Sequence, residues 1–132
     1  MRVLSLVVLL LAAASAPPAF AATPIPCEAR ASGYGSADVL CTVDAGSAAG
    51  PLTFSARFSG VHDDSQAGLA ASVDRAPLPC REGSAPRIAG DQDGDTLVCR
   101  FVLPAPASGA RRIGIHLLWF HAEPVAFDLR HD

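Results

Sequence analysis

The sequence predicts an all-β protein: a small antiparallel β-sandwich over residues 22–132, behind an N-terminal signal peptide over residues 1–21. Three observations carry that expectation. Apolar and polar residues alternate with period two in five separate stretches, as in strands that turn one face to a core. Eleven prolines and eleven glycines interrupt the chain so often that no helix-period run of about 10–12 residues survives. Four cysteines, all beyond residue 21, make an even set for two disulfides in a short exported chain.

The leader comes first. Arg2 precedes an apolar run from Val3 to about Ala14, then Pro17, Pro18 and the small-x-small triplet Ala19-Phe20-Ala21, which fits cleavage after Ala21. An apolar run of about 12 residues is too short for a membrane span, which takes about 20 to cross roughly 30 Å of hydrocarbon. The prolines behind it disfavour a continued helix. Pro24-Ile25-Pro26 before Cys27 lacks the small residues of a lipobox, so no lipid anchor and no membrane insertion are expected after cleavage. The destination is the periplasm or the extracellular medium. The chain lacks lysine and asparagine, both encoded by A/T-rich codons, which points to a bacterial genome of high G+C.

The strands follow in order. Two are expected near residues 27–32 and 37–43. Leu52, Phe54, Ala56 and Phe58 alternate with Thr53, Ser55 and Arg57 in the next, and Leu69, Ala71 and Val73 mark another. Pro77–Cys80 adds a short optional strand. Leu97, Cys99, Phe101 and Leu103 form one row, Ile113, Ile115, Leu117 and Trp119 another, and Val125, Phe127 and Leu129 the last. Seven or eight short strands with turn-rich connections suit an immunoglobulin-like sandwich, with a closed β-barrel as the alternative. The Cys…Trp…Cys order of antibody domains is absent, because Trp119 follows all four cysteines.

Register arithmetic pairs the cysteines. A Cys27–Cys41 pair centres a hairpin on Tyr34 in Gly33-Tyr34-Gly35, where glycine supplies the positive φ of a tight turn. Cys80 and Cys99 flank a Gly- and Asp-rich segment over residues 81–95. Cys27–Cys41 and Cys80–Cys99 are therefore expected. The same arithmetic suggests a hairpin of 96–103 with 111–119, setting Leu97 against Leu117, Cys99 against Ile115 and Phe101 against Ile113. Its outer face would show Val98, Val102, His116, Leu118 and Phe120, a candidate partner-binding patch.

Charge narrows the function classes. Without Arg2, nine arginines face thirteen carboxylates, a mildly acidic balance with no basic stripe, so nucleic acid is not an expected partner. Ser59-Gly60-Val61-His62-Asp63 contains the residue types of a catalytic triad but no G-x-S-x-G elbow. The four histidines are scattered without the spacing that places two imidazoles on one strand face. Asp91-Gln92-Asp93-Gly94-Asp95 begins like a calcium loop, yet its sixth position is Thr96 and its twelfth Val102. If strands alternate up and down, with Pro77–Cys80 counted as one of them, loops 33–36, 60–67, 82–95 and 121–124 share one end. That end gathers Tyr34, His62, His121 and Glu123 with a speculative Ca²⁺ set of Asp63, Asp64, Asp91, Asp93 and Asp95. The leading expectation is a non-catalytic binding module recognising an unknown protein or glycan, without a cofactor. The alternatives are a Ca²⁺-dependent sandwich and a small secreted hydrolase.

Overall fold

A computed structural model describes residues 24–44, 50–90, 94–105 and 109–132. The expected signal peptide lies outside them, as do Asp91 and Asp93. The described strands are β1 (Cys27–Gly33), β2 (Ser36–Val43), β3 (Gly50–Ser59), β4 (Gln66–Val73), β5 (Ala76–Leu78), β6 (Arg87–Ala89), β7 (Thr96–Leu103), β8 (Arg111–Phe120) and β9 (Glu123–His131). They form two antiparallel sheets and do not close into a barrel. One sheet runs β1-β2-β8-β4-β5, with β6 beside β5 on the same edge of β4; the other runs β7-β3-β9. The strand order is not that of an immunoglobulin domain. There the second strand lies beside the fifth, whereas here β2 lies beside β8 and β3 is central in its sheet.

Alternation builds the core. Leu52, Phe54, Ala56 and Phe58 of β3 and Leu97, Cys99, Phe101 and Leu103 of β7 are buried. They face Val39, Cys41 and Val43 of β2 and Ile113, Ile115 and Leu117 of β8. Phe54 stacks on Phe127 with ring centroids 6.5 Å apart, and Phe58 meets Trp119 at 6.3 Å. Val125, expected inside, is exposed. The β3–β9 register slips between Arg57 and Phe58, pairing Arg57 with Ala126 and Phe58 with Pro124, so Val125 falls in a bulge and turns to solvent.

Both expected disulfides are present, Cys27–Cys41 and Cys80–Cys99. Cys27 lies opposite Cys41 in the β1–β2 register, as the hairpin arithmetic requires. The 96–103/111–119 hairpin, in contrast, does not form. β7 pairs with β3, placing Cys99 opposite Phe54 and Phe101 opposite Leu52, while β8 sits between β2 and β4 in the other sheet. Inward rows match equally well side by side in one sheet or face to face across a core, and here they face across it.

Residues 81–90 are also more structured than a loop. After Cys80 the chain runs beside β7, with Arg81 N–H donating to the Arg100 carbonyl at 2.6 Å and Val98 N–H to Ala85 at 2.9 Å. It then returns to β4 as β6. The stretch thus stitches one open side of the sandwich, and Cys80–Cys99 fixes it to the middle of β7. On the opposite side Pro24 bridges Arg130 of β9 before the chain enters β1.

Candidate functional site

The site-bearing end is assembled by backbone constraints in three loops. Tyr34 and Gly35 form the β1–β2 turn. Gly35 has φ +72°, and a Cβ there would lie 2.6 Å from the Trp119 carbonyl oxygen, so glycine is needed twice over. The same close approach lets Trp119 N–H donate to the Gly35 carbonyl at 2.8 Å, locking the hairpin against the end of β8.

Ser65 organises the 60–65 loop from a fully buried position. Its hydroxyl accepts from His62 N–H at 2.7 Å and donates to the His121 carbonyl. Its own N–H donates to the His62 carbonyl and its carbonyl accepts from Gly90 N–H, each at 2.9 Å. Gly90 packs so tightly here that a Cβ would sit 1.5 Å from the His62 carbonyl oxygen. Phe58 N–H donates to the Asp95 carbonyl at 2.8 Å. The β1–β2 hairpin, the 60–65 loop, Gly90, Asp95 and the β8–β9 turn therefore meet at one end, while residues 82–89 of the expected 82–95 loop run along β7 and β4.

Between them lies an open cleft of about 750 Å³, lined by Tyr34, His62, Trp119, Phe120, His121 and Glu123 together with small loop residues. Tyr34 at the hairpin tip is wholly exposed and Phe120 is 57% exposed. The Phe120 and His121 rings stack at 3.8 Å between centroids. His121 adopts φ +50°, and its Nδ1 is 2.6 Å from the Asp64 carboxylate. That hydrogen bond holds the Asp64 carboxyl below its ordinary pKa, assisted by the charges of His121 and His62.

Of the speculative calcium set, the described members Asp63, Asp64 and Asp95 do not converge, and Asp91 and Asp93 lie outside the described residues. Asp64 engages His121, Asp95 accepts from Thr96 Oγ1 at 3.0 Å, and no group of three or more His, Cys, Asp or Glu residues suited to a metal occurs among the described residues. Asp63 sits beside Asp64 in an exposed turn. Ser65, His121 and Asp64 carry triad residue types without triad geometry, because the buried hydroxyl bonds the His121 backbone carbonyl rather than an imidazole.

The five-residue apolar patch is divided by the topology. Val98 and Val102 lie on the outer face of the β7-β3-β9 sheet, and His116, Leu118 and Phe120 on the outer face of the larger sheet. His116 alone of that group lines a second depression of about 500 Å³, together with Ala70, Ser72 and Gly114, and pairs there with Asp38 at 2.6 Å. The structural parts of Ser65 and Gly90 had no signature in the sequence, since each depends on a loop far away in the chain.

No protein-family model, curated protein or solved structure matches this chain. Two disulfides in a small all-β domain are the chemistry of an oxidising compartment. No helix of the described residues is long and apolar enough to cross a membrane.

Proposed function

We propose that this is an exported, non-catalytic binding module that engages a protein or glycan partner through the aromatic cleft at its loop end. The observation that carries the reading is Tyr34, an aromatic ring wholly exposed at the tip of a disulfide-anchored hairpin, beside the half-exposed Phe120. Tyrosine and tryptophan supply large contact area at low entropic cost and dominate binding hot spots. The cleft volume falls in the range of roughly 300–1,000 Å³ typical of ligand pockets. Gly35, Ser65 and Gly90 hold the loops in place before any partner arrives, which lowers the ordering cost of association. Recognition by loops at the end of a rigid sandwich is also the immunoglobulin-like mode.

The test is a glycan array and an envelope-protein pull-down with the wild-type domain, Tyr34→Ala and Phe120→Ala. Binding lost in both variants while folding is retained supports the cleft; binding indifferent to both overturns it. The calcium alternative rests on Asp91 and Asp93, outside the described residues. Thermal unfolding in EDTA and then in excess Ca²⁺ decides it, because a ligand at about 100 times its dissociation constant adds roughly 2.7 kcal/mol to the native state.

A further inference from the structure

We infer that β1 is a self-association edge, through which two copies pair their β1 strands antiparallel about a two-fold axis at Ala29. All seven residues of β1 are exposed, so the strand adds nothing to the core. Its strand partner is β2 alone among the described residues, yet a disulfide fastens it there. A strand held so firmly while burying so little presents one thing, its free edge.

The hydrogen-bond phase says which groups that edge offers. Thr42 N–H donates to the Pro26 carbonyl at 3.2 Å. Bonded pairs alternate along an antiparallel ladder, so Glu28 and Arg30 turn their backbone groups towards Leu40 and Asp38. The Cys27–Cys41 Cα separation of 4.1 Å agrees, being the short spacing of a non-bonded pair. Trp119 N–H bonding the Gly35 carbonyl gives β2 the same phase, its odd-numbered residues facing β8. Cys27, Ala29 and Ala31 therefore direct their N–H and C=O groups to the open edge.

Those three residues match themselves in reverse. Pairing Ala29 with Ala29 of a second copy also pairs Cys27 with Ala31, each exchanging both hydrogen bonds. Glu28 of each copy then lies opposite Arg30 of the other on one sheet face, two opposite-charge pairs at close spacing. A shift of one copy that keeps the edge groups in phase brings Glu28 against Glu28 or Arg30 against Arg30, so charge alone selects the register. In the isolated chain Glu28 and Arg30 make only a loose 3.9 Å contact and both side chains remain exposed, free to reach across. Paired this way, the larger sheet continues across the two-fold axis. This inference is independent of the loop-end cleft.

Sedimentation velocity on the oxidised, exported protein over a wide concentration range tests it, with Glu28→Arg, Arg30→Glu and the double exchange. The expected result is a concentration-dependent dimer, weakened about tenfold or more by either single change and restored by the double one. All three variants alter exposed side chains, and circular dichroism confirms that they fold. A wild-type monomer at every concentration overturns the proposal, and protection of the Ala29 amide by an added peptide strand would then give the edge a foreign occupant. A dimer indifferent to both single changes overturns it too.

Discussion

Ser65 and Gly90 show how much of the loop end depends on two small residues. The Ser65 hydroxyl answers the His62 N–H and the His121 carbonyl in a place water does not reach. Ser65→Ala strands both groups, and we expect a loss of about 1–3 kcal/mol in urea unfolding. Gly90→Ala forces a methyl onto the His62 carbonyl oxygen. It should cost at least the upper part of the roughly 1–3 kcal/mol of an overpacked site, with amide-exchange protection falling first over residues 60–65. The Asp64 carboxyl, held down by the His121 hydrogen bond, has a different signature. A carboxyl whose folded-state pKa is depressed lends stability above its ordinary titration range and loses it as pH falls through the depressed value. The pair is solvent-exposed, so the effect on global stability is small. The direct readout is an NMR titration, in which His121→Ala should raise the Asp64 midpoint towards the ordinary carboxylate value.

The two disulfides act on different elements and should fail differently. Cys80–Cys99 joins the stitching segment to the buried centre of β7, whereas Cys27–Cys41 holds a strand that contributes nothing to the core. Chain entropy assigns each about 3 kcal/mol, because the loops span 14 and 19 residues. Cys27→Ala with Cys41→Ala should release the β1 amides to fast exchange while β3, β7 and β8 stay protected. Cys80→Ala with Cys99→Ala should lower the unfolding midpoint of the whole domain, as seen by near-ultraviolet circular dichroism. Legibility divides along the same line. The β1–β2 hairpin was readable because its turn, register and cysteine spacing are all local. The rows of β7 and β8 identify their inward residues but not their neighbours, since an alternating row records a face and not the strand beside it.

For the whole molecule, the loop-end cleft and the core are separable. Tyr34→Ala removes a side chain that touches only solvent, so its thermal midpoint should match the wild type while partner binding falls. Phe58→Ala opens a cavity under Trp119 and should cost about 3–5 kcal/mol. The gathering of Tyr34, His62, His121 and Glu123 follows from strand alternation once the short Pro77–Cys80 strand is counted. The outward rows instead group Phe120 with Val98 and Val102, a patch that the topology splits between the two sheets. The sequence by itself determined the all-β class, the inward rows except Val125 in the β9 bulge, the first hairpin and both disulfides, because period-two burial and local turns are properties of nearby residues. Only the tertiary structure decided which strands adjoin, how residues 81–90 stitch the sheets, and that β1 lies outside the core. Those depend on which buried face meets which, a choice made by the packing of the two sheets as a unit.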